Sequence, residues 1–362
     1  MEYRRGALES LAVTPEFWRG RRVLLTGHTG FKGAWLALWL ERLGAEIGAV
    51  ALAPDTDPSL FEALAPWSGL DSAMGDLRNS TVAAKAVADS RPEIVFHLAA
   101  QALVRRAHAD PTTTFETNVT GTVNLFEAVR AAPTVKAVVV VTSDKVYAND
   151  GGGRAFREDD PLGGADPYSA SKACQDLVAA AYDKSFLAAR GIGTGRARAG
   201  NVIGGGDWAA DRLIPDFVRA MAAGEEIAVR NPDATRPWQH VLEPLAGYLD
   251  YAEVLTAGGG APGALNFGPA ADDIQPVRQV VDGLVERWGA GAAWRQDKAE
   301  QVAEAGLLTL DASRAMETIG WRPRLDLHDA LDWTVAWYRA AAAGDDMRVH
   351  SLDQIARYED RG

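Results

Sequence analysis

Through the first half of the chain, short runs of continuous apolar residues alternate with longer stretches whose apolar positions recur on a helical period. Arg22 to Thr26 reads Arg-Val-Leu-Leu-Thr and closes in Gly27, and Ala137 is followed by four valines. Runs without polar alternation predict strands covered on both faces, hence a parallel sheet sheathed by helices. Between the strands, Phe31 to Leu43 carries Trp35, Leu36, Leu38, Trp39, Leu40 and Leu43. A helix apolar over so much of its surface is packed deep. The alternation continues with strands at Glu46 to Leu52, Ile94 to Leu98, Val135 to Thr142 and Gly193 to Arg198, and with helices at Ser80 to Asp89 and Asp110 to Ala131. The fold class expected is α/β.

The second half is less regular. Ala199 to Trp208 is rich in glycine and polar groups, and Arg212-Leu213-Ile214-Pro215 leads into a helix reaching about Ala223. After Arg236-Pro237-Trp238-Gln239-His240-Val241, a helix from about Leu242 to Leu255 is expected, then mixed short elements, then an amphipathic segment Leu327 to Ala340. Trp333, Trp337 and Tyr338 in that segment have the spacing of a core or interface face. The expected division is a sheet domain at 17–200 and a smaller, mostly helical lobe at 201–345 interleaved with it. Residues 1–16 and 346–362 read as terminal extensions.

Composition narrows the function. Of 362 residues, 47% are hydrophobic, enough for a large core. A formal charge of -12 argues against a general nucleic-acid binder, which needs a basic field to displace phosphate counterions. An anionic substrate must therefore be held by local arginines. Cys174 is the lone cysteine, so no disulfide framework is expected and a reducing cytoplasm fits. No run approaches a membrane span, and the start, with Glu2, Arg4, Arg5, Glu9 and Glu16, lacks a signal-peptide core. The expectation is a soluble cytoplasmic protein without membrane partners. His97, His108 and His240 form no metal-ligand spacing, and no metal is assigned.

Two motifs carry chemistry. Gly27-His28-Thr29-Gly30-Phe31-Lys32-Gly33 follows a strand and opens a helix, so the backbone can turn tightly and present N-terminal amides to a pyrophosphate. That context predicts a Rossmann-type doubly wound sheet with a dinucleotide on it. Ala51-Leu52-Ala53-Pro54 offers no acid for the adenosine ribose, but Asp55 and Asp57 follow and no Arg or Lys stands there for a 2'-phosphate. NAD is favoured over NADP, with Asp76 and Leu77 expected at the adenine end. Far downstream, Tyr168-Ser169-Ala170-Ser171-Lys172 places a phenol and an ammonium on one helix face. The cation is expected to lower the phenol pKa and make a base that takes a proton from a sugar hydroxyl while hydride leaves the carbon.

These motifs, with His97-Leu98-Ala99-Ala100-Gln101, Thr142-Ser143-Asp144-Lys145, Arg198 to Trp208 and Arg236 to His240, are similar to those of the CDP-glucose 4,6-dehydratases. Those enzymes are a family of the extended short-chain dehydrogenase/reductase superfamily, and the resemblance runs from about Phe17 to Asp346. It implies an NAD-dependent lyase acting on a nucleotide sugar, CDP-glucose, as a homodimer or a tetramer. Ser143, Asp144, Lys145, Tyr168 and Lys172 would be catalytic, with Asp144 the acid for the C6 hydroxyl and Lys145 either the base for C5, if its amine is neutral, or an electrostatic stabiliser of the enolate. Gly27, Thr29, Gly30, Phe31, Lys32, Gly33, Asp76, Leu77, Leu98, Ala99, Ala100, Tyr168 and Lys172 would hold NAD. Gln101, Asn201, Arg212, Leu213, Arg236 and His240 would meet the substrate. A homodimer would join through Asp110 to Ala131 and Tyr168 to Arg190 of each subunit, whose Val119, Val123, Phe126, Leu177, Val178 and Phe186 exceed what one sheet face needs. A 4-epimerase, or a dehydratase for another nucleotide, shares the scaffold; a non-catalytic NAD-binding scaffold protein is the alternative from another class, and the intact Ser143, Asp144, Tyr168 and Lys172 argue against it.

Overall fold

The computed structural model describes residues 13–149, 151–258, 262–297 and 308–361. Seven parallel strands form the central sheet: β1 (Arg22–Thr26), β2 (Glu46–Ala51), β3 (Leu70–Met74), β4 (Ile94–His97), β5 (Ala137–Val141), β6 (Gly193–Ala199) and β7 (Ala264–Phe267). Their order across the sheet is β7-β6-β5-β4-β1-β2-β3. The chain winds outward from β1 and then restarts at β4 on its other side, which leaves a crevice above the carboxyl ends of β1 and β4. This is the doubly wound sheet expected from the apolar runs. Side chains alternate between two apolar layers: Val23, Leu25, Phe96 and Val139 lie in one, Leu24, Val95, Val138 and Val140 in the other.

The helices that matter for the site are α1 (Phe31–Arg42), α2 (Ser80–Ser90), α3 (Gly121–Ala131), α4 (Pro167–Tyr182), α5 (Leu213–Ala223), α6 (Leu242–Ala257), α7 (Leu327–Ala343) and α8 (Met347–Glu359). The single helix expected from Asp110 to Ala131 is interrupted: Pro111–Phe115 passes through a π-helical turn, Glu116–Thr120, before α3 begins. Strand β3 has no counterpart in the sequence reading. It is an edge strand whose residues are largely exposed, so it has no apolar run to announce it.

Both ends also differ from the expectation of extensions. Residues 1–12 lie outside the described residues, but Pro15–Trp18 is helical and Trp18 is fully buried, its indole donating to Glu253 at 2.8 Å. At the other end α8 packs against α1: Trp39 Nε1 donates to Glu359 Oε1 at 2.9 Å, and Arg348 donates to Glu41 at 2.8 Å. Trp333, Trp337 and Tyr338 are core, as their spacing suggests.

Glu243, on α6, clamps this C-terminal assembly. It accepts from the backbone N–H of Arg324 and Leu325 at 3.0 and 2.7 Å and from the Tyr358 hydroxyl at 2.9 Å. Burial nevertheless pushes its carboxyl up to about 7, against an ordinary value of 4.5. The folded protein therefore binds more protons than the unfolded chain, and stability falls as pH rises from 4.5 to 7, by about 3 kcal/mol. Glu243→Gln should flatten this slope in thermal melts recorded across that window; an unchanged slope would take Glu243 out of the pH response.

Candidate active site

The glycine turn is shaped for a close approach. Gly27 sits at φ +79°, and a Cβ there would lie 2.6 Å from the Ala99 nitrogen; a Cβ on Gly33 would lie 2.0 Å from the Gly27 carbonyl oxygen. Neither position accepts a side chain, so α1 seats directly on the end of β1. Gly30 caps α1 without a side-chain hydrogen bond, leaving its first amides for an anion. A dinucleotide pyrophosphate fits this cradle.

Around it, Thr29 Oγ1 donates to the Leu52 carbonyl at 2.8 Å, joining the turn to the end of β2. Leu98 and Ala99 donate from their backbone to Thr26 O and Thr26 Oγ1 at 3.1 and 3.2 Å, and Ala100 follows with partial exposure. Asp76 is occupied by Arg78, which contacts it at 2.6 Å and holds the carboxyl below its ordinary range, while Leu77 is buried. Beyond β2, Asp55 pairs with Arg106 at 2.6 Å, so a basic residue does reach this region, brought from after β4 rather than from β2 itself.

The catalytic candidates converge where β5 ends. Ser143 and Asp144 are buried, Ser143 Oγ donates to Asp144 Oδ1 at 2.9 Å, and the Lys145 ammonium lies 6.0 Å from the Tyr168 ring centre. Gly200 is what lets Asp144 lie flat against the next loop, because a Cβ there would be 1.9 Å from Asp144 Oδ2. Beneath, Arg198 donates to both oxygens of buried Asp176 at 2.8 Å, and Thr142 Oγ1 donates to the same carboxylate at 3.3 Å, tying the β5 exit to α4.

Lys172 is buried and donates to the Val141 carbonyl at 2.8 Å and to Gln175 Oε1 at 2.5 Å. Gln175 donates to Thr122 Oγ1 at 3.0 Å, and His97 bridges Thr122 and Thr26 at 2.9 and 2.8 Å. Thr122 donates to the Asn118 carbonyl, so His97 carries its proton on Nε2 and accepts from Thr26 on Nδ1. Burial, then Lys172, pushes this imidazole down to about 3. Asn118, in the π-helical turn, accepts from Gln101 N at 2.8 Å and donates to Ser171 at 2.8 Å. None of Asn118, Thr122 and Gln175 was singled out from sequence. The signal was the polar run Thr117-Asn118-Val119-Thr120-Gly121-Thr122 inside a segment read as plain helix, and π turns gather at functional sites.

The expected tyrosinate is corrected. Burial pushes the Tyr168 phenol up; a hydrogen bond with Ser143 and the Arg212 charge oppose this, and Asp144 adds to it. The Lys172 ammonium is held by the Val141 carbonyl and Gln175. The amines are the groups brought toward neutrality: burial and then Lys32 lower Lys172 to about 7, and burial and then Arg212 lower Lys32 to about 8. Lys32, read as part of the glycine motif, thus reaches the catalytic cluster, its ammonium 5.9 Å from the ring centre of Tyr248 on α6. The Tyr248 hydroxyl is buried without a hydrogen-bond partner among the described residues.

The substrate candidates separate. Arg212 pairs with Asp207 at 2.9 Å beside Tyr168 and Lys32, at the start of α5 with half-buried Leu213. Asn201 adopts φ +43° in the loop beside Gly200. Arg236 is buried in a short antiparallel pair, donating to Thr235 O at 2.9 Å. Gln101 spends its amide on Thr114 and on both backbone groups of Leu103. His240 is wedged between Trp35 and Trp333, with ring centres 6.4 and 5.7 Å away, and burial pushes it down to about 3. In this structure Gln101 is engaged in internal hydrogen bonds and His240 in contacts with two indoles, neighbours that sequence spacing could not reveal. Among the described residues no cluster of three or more His, Cys, Asp or Glu is arranged for a metal, and no helix is long and apolar enough to cross a membrane.

Residues 23–260 match the model of the NAD dependent epimerase/dehydratase family. The chain is 46% identical over 352 residues to the CDP-glucose 4,6-dehydratase of Salmonella typhimurium, covering 96% of this chain and 98% of that one. A dTDP-glucose 4,6-dehydratase from Streptomyces venezuelae, solved with NAD and TYD bound, superposes with a TM-score of 0.76 at 25% identity, covering 90% of this chain and 99% of that one. An epimerase from Methanothermobacter thermautotrophicus shares the fold, with a TM-score of 0.78 at 20% identity over 91% of this chain and 95% of that one.

Proposed function

Because the chain belongs to the NAD dependent epimerase/dehydratase family, we propose that it dehydrates a nucleotide-activated hexose, CDP-D-glucose, to CDP-4-dehydro-6-deoxy-D-glucose. The carrying observation is Ser143-Asp144-Lys145 at the end of β5 beside Tyr168, in a chain 46% identical to a CDP-glucose 4,6-dehydratase. Residues 17–200 hold the cofactor on the glycine cradle, and 201–345 provide most of the substrate's surroundings.

Bound NAD supplies the hydride acceptor that draws hydride from C4 and gives it back at C6. The protein's own groups manage the protons. Ser143 and Tyr168 meet the C4 oxygen, whose oxidation acidifies C5–H. Lys145 removes the C5 proton, and Asp144 protonates the departing C6 hydroxyl. Arg236 and Asn201 meet the diphosphate, with the planar guanidinium suited to phosphate oxygens, and Arg212 lies toward the nucleoside.

Incubation with a panel of nucleotide hexoses, read by mass, tests the reading. CDP-glucose should lose one water; mass-neutral conversion would indicate an epimerase, and loss of water only from another nucleotide sugar would reassign the base. The lone Cys174 supports a reducing cytoplasm as the compartment. A homodimer is supported by the exposed apolar side chains Phe115, Leu177 and Phe186 on the helices after β4 and β5. Phe126, also expected there, is buried in its own subunit against Tyr182. Light scattering at micromolar protein should give twice the chain mass, and Leu177→Glu should lower it; a native monomer would exclude the dimer.

A further inference from the structure

The reaction above leaves a proton to be accounted for. C4 oxidation delivers the C4 hydroxyl proton to Tyr168, while departure of the C6 hydroxyl as water takes a proton from Asp144. The C5 proton leaves and is restored. If the first two groups acted separately, each turnover would leave Tyr168 one proton rich and Asp144 one proton poor.

The residue between them is Ser143. Its hydroxyl donates to Asp144 Oδ1 at 2.9 Å and lies close enough to the Tyr168 phenol to hold its titration down against burial. Ser143 and Asp144 are 5% and 2% exposed, which shields this contact from bulk water. The Lys145 backbone N–H donates to Ser143 Oγ at 3.2 Å and fixes the oxygen in place. Asp144 Oδ2 accepts no hydrogen bond among the described residues, and Lys32 acts on the carboxylate through charge alone.

We infer that Tyr168, Ser143 and Asp144 form a hydroxyl relay that carries the C4 hydroxyl proton to Asp144, from which it leaves on the C6 oxygen as water. This rests on the dehydratase reading. In the first step the C4 O–H bond breaks as Tyr168 Oη takes that proton. Tyr168 passes its own to Ser143 Oγ, and Ser143 passes its own to Asp144 Oδ1. The C4–H pair departs as hydride to the nicotinamide acceptor, and the O–H pair becomes the C4 carbonyl. In the second, Asp144 gives its proton to the C6 oxygen as the C6–O bond breaks, Lys145 takes the C5 proton, and the C5–H pair becomes the C5–C6 double bond. Hydride returned to C6 and the proton returned from Lys145 to C5 complete the product. Tyr168, Ser143, Asp144 and Lys145 all end as they began. No ionised tyrosine is needed at rest, which agrees with a phenol pushed up by burial.

Single-turnover mixing of the NAD-loaded enzyme with CDP-glucose, in weak buffer with a pH-indicator dye, tests the relay. Asp144→Asn removes the terminal acceptor, so each reduced nicotinamide formed should be accompanied by one proton released to solvent, at a rate rising about tenfold per pH unit below the phenol titration. Ser143→Ala should acquire the same pH dependence with Asp144 intact, and Ser143→Thr should return to the native flat profile. Cofactor-free chains give a second readout, the phenolate absorbance remaining after subtraction of Tyr168→Phe. Asp144→Asn should move the Tyr168 titration to lower pH and Ser143→Ala to higher pH, because Asp144 pushes the phenol up and the Ser143 hydrogen bond pulls it down. Reduced nicotinamide without proton release in Asp144→Asn, or a flat profile in Ser143→Ala, overturns the relay while leaving the dehydratase intact. Titrations that move as expected in a chain that dehydrates no nucleotide hexose overturn the reaction reading, and the relay with it.

Discussion

Tyr168→Phe is expected to lower turnover by about 10²–10⁴-fold while NAD and nucleotide-sugar binding stay within a few fold. The phenyl ring keeps the contact area that Tyr168 offers above Lys145 and removes only the oxygen that receives the C4 hydroxyl proton. Steady-state kinetics, with separate titration of both ligands, give the result. Ordinary turnover by a well-folded variant would remove Tyr168 from the mechanism.

Asp144→Asn should separate the two halves of the reaction. An amide cannot deliver a proton to the C6 oxygen, whereas hydride transfer from C4 needs only an acceptor and an outlet for the hydroxyl proton. Reduced-nicotinamide absorbance should therefore appear and persist, with water loss slowed by about 10²–10⁴-fold. Asn is nearly isosteric and keeps the contact with Gly200, so loss of fold is not the expected cause. Lys145→Met, in contrast, should suppress incorporation of solvent deuterium at C5. Product formed by Asp144→Asn at the parent rate would assign the acid to another group.

The sheet was legible because its central strands are covered on both faces and so are apolar without interruption, as in Ala137 to Val141. Strand β3 was not, because an edge strand with one side in solvent carries Asp71 and Ser72. The glycine turn and the Ser143-Asp144-Lys145 and Tyr168/Lys172 sets could be located because backbone approach and reactive groups impose residue type at fixed spacing. Partners were less legible. That Lys172 turns to Gln175, that Lys32 reaches past the cofactor motif to Asp144 and Arg212, and that Gln101 bonds to Thr114 and His240 lies against Trp333 are properties of three-dimensional neighbours. Helical spacing brings Tyr168 and Lys172 to one face but does not choose their rotamers, and the Lys172 ammonium bonds to Val141 and Gln175.

The seating of α8 on α1 bears on how the polypeptide is made. Trp39 and Arg42, a few residues beyond the glycine turn, find their partner in Glu359, about three hundred positions later, and Trp35 donates to the Gly205 carbonyl. During synthesis the tryptophan face of α1 therefore emerges from the ribosome long before the residues that cover it. The first βαβ unit can close its sheet side early, but the end of α1 that carries Trp39, Glu41 and Arg42 stays wet until α8 has been translated. A nascent chain halted before Met347 would hold the cofactor cradle with the Trp39 indole uncovered, because its partners Tyr358 and Glu359 both lie on α8.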